Sequence, residues 1–389
     1  MNLPKDTLLK YFKICSTVVS KREKDELLYK GVRVLTERDK VLFSANGNFN
    51  AILCILPDSE ISQIEMGKSE SLDMVIEASK TIEILNRTTK KTVGLEKSQK
   101  QNLAFLKANG KNQLRYVDSI NLPELPQIVE DSVVGQEEIE SLYKFMTLLK
   151  PFTSEDIHKT QLVGTCFAEG NIYGTDEHKA LTLRDTGIDL PNITISTELV
   201  DILHLLLSYE DTPENWEFFL TVDNSFFVLK SISEEGQPQY YIYTHRYNME
   251  YPYDLLEKAN EQARDNDYYF NFVIKDVLLI LDRISIFADE NDLLFIKVSE
   301  NKVTFIVKNL KTNEKGEESI KISGELMDTV IPVSLSAFLA ILSNFKDFLD
   351  ELTIRYSVDA MKNFVSFNYD EFDAWIMKNL VELGDNEEI

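Results

Sequence analysis

The sequence predicts an α+β chain of three domains, each built from two copies of one unit, a helix followed by three antiparallel strands. Three observations carry this expectation. Amphipathic helical runs, each trailed by short alternating strand-like runs, recur six times at roughly 60–80-residue spacing. Proline-punctuated joints break the pattern at residues 121–126 and around Tyr251-Pro252. A length of 389 residues with 43% hydrophobic content is globular and exceeds one ordinary core. The boundaries expected are 1–124, 125–254 and 255–381, with residues 382–389 an acidic tail.

The first helix is expected over residues 5–19, with Leu8, Phe12, Cys15 and Val19 on one face and Lys10, Lys13, Thr17 and Lys21 on the other. Strands are expected at 27–36, 39–45 and 49–56, then an extended lead-in at 73–78. A second helix follows over 79–89, with Ser79 as its N-cap, and strands at 91–97, 102–108 and 112–118 complete the domain. The second domain repeats this pattern. Its helices are expected at 135–150 and 197–208, and its strands at 160–167, 170–175, 179–184, 193–196, 216–223, 225–232 and 239–246. Residues 248–267 read as an irregular, charged joint. The third domain places helices at 275–287 and 334–348 among strands at 293–299, 302–309, 317–323, 329–333, 351–358, 362–368 and 373–378. Two helices on one side of an antiparallel sheet system is the expected layer arrangement in each domain.

The formal charge of −24 disfavours adhesive binding to nucleic acid or acidic membranes. Three unpatterned cysteines, Cys15, Cys54 and Cys166, argue against a disulfide framework or a zinc site and for a reducing compartment. The opening Met-Asn-Leu-Pro-Lys-Asp lacks the pattern of a secretory signal. No apolar run approaches the roughly 20 residues of a membrane helix. A cytoplasmic protein without membrane contact is expected.

Within this acidic chain two helix faces are basic. Lys10, Lys13, Lys21 and Arg22 lie on the first helix and its exit, and Lys80, Arg87, Lys90 and Lys91 on the second. The later helices carry little positive charge, offering His204 beside Glu198 and Asp201, and Lys346. Other clusters read as ordinary structure. Glu137, Glu138, Glu140, Asp350 and Glu351 lack the spacing of a calcium loop. Phe218, Phe219, Phe226 and Phe227 sit in strands without interleaved cations, and Gly164 and Gly170 form no phosphate loop. Neither a cofactor nor a metal is expected.

One phrase stands apart. Thr175-Asp-Glu-His-Lys-Ala-Leu181 reads as a turn between two strands. It resembles the Thr-Asp-Gly-His-Arg-Leu-Ala phrase of the bacterial DNA polymerase sliding clamp, the beta subunit. Glu177, Lys179, Ala180 and Leu181 are the departures. Further phrases resemble the same family in order and spacing. Thr7 to Phe12 resembles its opening helix, and Arg22 falls where the family has an arginine near DNA. Val298 to Val303 resembles a strand-turn-strand of its third domain. Tyr251-Pro252 stands at its aromatic-proline joint, and Trp375 to Leu380 resembles its closing strand, with Lys378 replacing a proline. The departures fit a divergent, viral clamp better than a housekeeping one.

The resemblance implies a non-enzymatic replication processivity factor. Three clamp domains would close as a homodimer ring around duplex DNA, without reading sequence, and tether DNA polymerase and a clamp loader. It implies a partner-peptide pocket of Thr175, His178, Lys179, Ala180, Leu181, Pro252, Ile376 and Met377, apolar and enlarged by Ala180. It implies DNA-facing Lys10, Lys13, Lys21, Arg22, Lys80, Arg87, Lys90 and Lys91. It implies a dimer interface between Leu103 and Phe105 of one chain and Ile284, Ile286 and Phe287 of the other. Two rivals are a clamp-fold platform for transcription or repair proteins and an unrelated α+β enzyme using Cys166 and His178, which needs the imidazole within hydrogen-bond reach of the thiol.

Overall fold

The computed structural model describes residues 1–20, 26–37, 40–65, 71–98, 102–119, 124–128, 133–154, 156, 158–188, 190–232, 238–288, 293–309, 311–359, 362–369 and 372–379. They divide into two compact units. The first comprises Met1–Lys144 with Ile195–Asn248, the second Phe145–Thr194 with Met249–Ile389. Two strand pairings explain the division. In the first unit Asn50–Ile55 pairs with Tyr240–Tyr247, and in the second Lys179–Leu183 pairs with Phe372–Met377. Each pairing continues a sheet across a joint expected from the sequence, so the strands of the expected second domain are shared between the units.

In the first unit an antiparallel ladder runs from Asp73–Glu77 through Gly31–Glu37, Lys40–Asn46 and Asn50–Ile55 into Tyr240–Tyr247, Phe226–Ser231 and Asn215–Leu220. The helices Lys5–Ser16 and Ala78–Asn86 pack together. Burial of Leu8, Tyr11, Phe12, Ile14 and Cys15 seats the first helix, and Tyr11 stacks on Phe43 at 5.3 Å. Phe218, Phe219 and Phe227 are buried, as expected of core strands. Cys15 and Cys54 are buried, their sulfurs 4.0 Å apart.

In the second unit the strands Gly164–Ala168, Asn171–Thr175, Lys179–Leu183, Phe372–Met377, Phe364–Tyr369, Glu351–Tyr356 and Tyr268–Val273 form one antiparallel ladder. A four-stranded sheet orders Lys315–Lys321, Lys302–Lys308, Leu293–Ser299 and Thr329–Ser334. The helices Ile274–Ile284 and Leu335–Phe345 pack together. Ser334 caps the latter, its hydroxyl accepting from the Ala337 amide at 3.3 Å.

Three local expectations are corrected. Residues 253–264 form a helix, not an irregular joint. Its buried stripe is only Leu256, Asn260 and Ala263, too polar to read as an apolar face. Pro252 precedes it, Asp254 lies in its first turn and Arg264 in its last, matching the helix dipole. The expected strand at 27–36 begins as the helical turn Leu27–Lys30, and extended backbone starts at Gly31, where a Cβ would stand 2.4 Å from Val75. Ser79 lies inside its helix, donating to the Glu77 carboxylate at 3.2 Å rather than capping.

Candidate functional site

The turn 175–179 is built by its own side chains. The Asp176 carboxylate accepts from the His178 and Lys179 amides, both at 2.9 Å, and holds the Lys179 ammonium. The Thr175 hydroxyl donates to the Lys179 carbonyl at 2.8 Å and accepts from the Glu177 amide at 3.1 Å. Glu177 stands at φ +81°, a conformation that favours glycine, and its carboxylate meets Lys159 at 2.5 Å. That conformation supplies the physical reason why a glycine suits this position in the resembled phrase.

The closing strand is stitched to this turn. The Met377 amide donates to the His178 carbonyl at 2.8 Å, and Lys179 lies opposite Ile376 in register. Beyond the strand the Asn379 amide donates to the Pro332 carbonyl at 2.9 Å. Between the turn, the closing strand and the start of the helix Leu335–Phe345 lies a cleft of about 620 Å³. His178, Lys179, Asp176 and Asn379 give it polar walls, Ser334, Ser336, Ala337 and Ala340 a helix wall of small side chains, and Pro151, Ile376 and Met377 its apolar part.

Of the expected pocket residues, His178, Lys179, Ile376 and Met377 come together here; Thr175, Ala180, Leu181 and Pro252 do not line the cleft. Strand alternation is the reason for part of this. Thr175, Ala180 and Trp375 share a register row on one sheet face, while Lys179 and Ile376 share the next row on the other. Thr175, Ala180 and Leu181 are at most 2% exposed. The expected enlargement by Ala180 does not occur, because Ala180 is packed in a core cluster with Trp375, Tyr251 and Leu256. Ser334, Ser336, Ala337 and Ala340 were not anticipated. The serine preceding an apolar helix was the available signal, but nothing in the sequence pairs that helix with the turn.

Behind the sheet the helix Tyr253–Arg264 holds both strands. Asn260, fully buried, donates to the Thr182 hydroxyl and accepts from the Trp375 indole, both at 3.0 Å. Arg184 forks onto Glu257 at 2.7 and 2.8 Å and reaches Asp373 at 2.7 Å, and Arg264 also grips Asp373. Burial pushes the Glu257 carboxyl up, but the bonds from Arg184 and Tyr173 outweigh this and hold it below the usual range.

The other expected sites lie elsewhere. Lys80 and Arg87 are exposed in the first unit, paired only at the surface with Glu77 and Glu83, and Lys90 and Lys91 are exposed. Lys13 is half-buried. Lys10 points inward, its side chain 10% exposed beside Asp211 and Glu60, which corrects its expected outward placement. Lys21 and Arg22 lie outside the described residues. Leu103 and Phe105 are half-buried on one strand. Ile286 is 77% exposed and Phe287 half-buried, whereas Ile284 is buried in its own unit.

Cys166 is a core residue whose thiol is pushed up to about 12 by burial, the opposite of an activated nucleophile. Among the described residues no group of three or more His, Cys, Asp or Glu is placed to hold a metal, and no helix is long and apolar enough to cross a membrane.

No protein-family model and no curated protein matches the chain. Solved structures do match it. The Bartonella birtlesii sliding clamp bound to griselimycin has a TM-score of 0.81 at 15% identity, over 98% of this chain and 99% of that one. DNA polymerase III subunit beta of Borrelia burgdorferi, in complex with a natural product, gives 0.80 at 12% identity over 98% of each chain. The Bacillus subtilis DNA polymerase sliding clamp gives 0.77 at 19% over 98% of each. At these identities the likeness is one of fold, and along nearly its whole length this chain has the fold of the bacterial DNA polymerase III beta sliding clamps.

Proposed function

We propose that the chain is a sliding clamp, a non-enzymatic cytoplasmic processivity factor that encircles duplex DNA and tethers DNA polymerase. The observation that supports this best is the clamp fold over 98% of the chain. The cleft beside the turn 175–179 adds to it, as a place for a partner peptide. In this reading residues 1–124, 125–254 and 255–381 are the three clamp domains, and two chains close a ring of six, since closed two-fold assembly is the commonest oligomer. Leu103 and Phe105 of one chain meet Ile286 and Phe287 of the other. The exposed Lys80, Arg87, Lys90 and Lys91 face DNA, with Lys13, Lys21 and Arg22 beside them. Phosphate attraction of this kind holds a duplex without reading its sequence. A clamp loader would use the same cleft.

The test is retention on nicked circular DNA, with a polymerase as partner. Wild type should slide, stay on circles, leave linear DNA by its ends and raise polymerase processivity. Met377→Glu should keep ring and retention but lose polymerase capture. Equal loss from circular and linear DNA would sink the clamp reading, and undiminished capture by Met377→Glu would sink the cleft.

A further inference from the structure

We infer that Trp375 is a specificity-determining residue. It fills the apolar slot on the inner face of the closing strand, and so restricts the cleft to peptides that dock through small and polar side chains. This rests on the proposed peptide-binding role of the cleft.

The sequence leads one to expect an open apolar slot beside Ala180. In the fold Trp375 stands directly opposite Ala180 in the strand register and occupies that side of the sheet at 3% exposure. The residues clustered with it include Cys166, Ala168, Ala180 and Ala263, whose small volumes leave room for an indole. Phe364 packs on it with centroids 4.7 Å apart. Its N–H, a donor that needs a partner when buried, is held by Asn260 at 3.0 Å. Asn260 is itself fixed by Thr182, so the ring is positioned by a buried bond as well as by packing. The chain thus supplies its own large apolar anchor.

What stays open is the other face. There the cleft presents Asp176, His178, Lys179, Ser334, Ser336 and Asn379, and its apolar contribution from Ile376 is slight, that residue being 1% exposed. Sites that anchor large apolar groups are lined predominantly by hydrophobic and aromatic side chains. This cleft has no aromatic wall among the described residues.

The probe is a fluorescein-labelled peptide carrying adjacent Leu and Phe, titrated onto the full chain. Trp375→Val should bind it at least about tenfold more tightly than wild type, since vacating several ring atoms opens an apolar slot. Trp375→Leu keeps more volume and repeats the comparison if the valine variant unfolds. In a Trp216→Phe background Trp375 is the sole indole; its emission should stay shielded from acrylamide when the peptide is saturating. Wild-type binding as tight as that of the variant, or emission that becomes quenchable on peptide binding, overturns the inference. Ala337→Arg separates it from the role of the cleft. Loss of polymerase capture by Ala337→Arg, without any gain from Trp375→Val, overturns the slot inference alone. Unchanged capture by Ala337→Arg overturns the cleft reading on which it rests.

Discussion

The Lys10 ammonium lies 2.5 Å from the Asp211 carboxylate, so a cation expected on a DNA-facing helix is engaged inside its own unit. Glu60 stands 3.8 Å away, and the Tyr11 and Tyr209 rings flank the ammonium at 5.1 and 5.5 Å. Burial and the nearby Asp211 raise the Glu60 carboxyl, against the attraction of Lys10. Lys10→Met should therefore cost stability, by about 1–3 kcal/mol for removing a charged hydrogen bond and leaving its partners behind. Retention on DNA should hardly change. Urea unfolding and circular-DNA retention measured side by side decide it; weakened retention at unchanged stability would return Lys10 to the DNA face.

Glu177 makes a second test. Its φ of +81° is strained for a residue with a Cβ, while its ion pair with Lys159 is half-exposed and worth about 0–1 kcal/mol. Glu177→Gly should leave stability unchanged or raise it by up to about 1 kcal/mol, whereas Glu177→Val should lower it. A fall on substitution by glycine, seen in the urea midpoint, would mean that the ion pair outweighs the backbone.

How much of this was legible depended on whether a feature is local. The six-fold alternation of helix and strands came from side-chain periodicity, which burial imposes residue by residue. The turn at 175–179 was legible because Asp176 and Thr175 bond within the turn itself. The cleft was only half legible. Its helix wall begins at Ser334, far along the chain from His178, and only tertiary packing brings the two together. Lys10 misled because Asp211 is distant in sequence, so a helical wheel shows an unpaired cation where the fold supplies a partner. The helix Tyr253–Arg264 was missed because its buried face centres on Asn260, a polar residue whose worth lies in its bonds to Thr182 and Trp375.

Asp73 should make part of the stability acid-sensitive. Burial pushes its carboxyl up, but hydrogen bonds from Arg33 and Ser119 outweigh that and hold it below the usual range. Arg33 engages both oxygens at 2.9 and 3.0 Å. Since the folded carboxyl lies below its unfolded value of ~3.9, the pair stabilises the fold above that pH and loses its effect as pH falls through the folded value. The stability gap between wild type and Asp73→Asn, about 1 kcal/mol near neutrality for a partly exposed pair, should close in acid. A gap that stays constant across the pH series would show that Asp73 is not the titrating group.

All three cysteines are buried, and burial raises the Cys15 and Cys166 thiols. The thiolate is the reactive form, so native chain at mildly alkaline pH should resist iodoacetamide while chain in denaturant is alkylated at Cys15, Cys54 and Cys166. Peptide mass mapping reads each site. Fast, selective alkylation of Cys166 in the native chain would revive the enzyme reading.

The basic surface gives the most direct test of the proposed DNA path. Lys80 and Arg87 have side chains 64% and 79% exposed, and their pairs with Glu77 and Glu83 are surface pairs that water and salt largely screen. Lys90 is exposed just beyond the same helix. These cations stay available to phosphate, unlike Lys10. Each phosphate that is no longer neutralised should flatten the log–log dependence of affinity on salt by about 0.9. Changing Lys80, Arg87 and Lys90 together to Glu should lower that slope by nearly three and shorten retention on circular DNA at low salt. Sequence preference should not change, because phosphate attraction carries none. Free peptide binding at the cleft should also hold, since the cleft is built wholly from residues of the second unit. A triple variant that keeps the wild-type slope and retention would mean that DNA takes another path through the molecule.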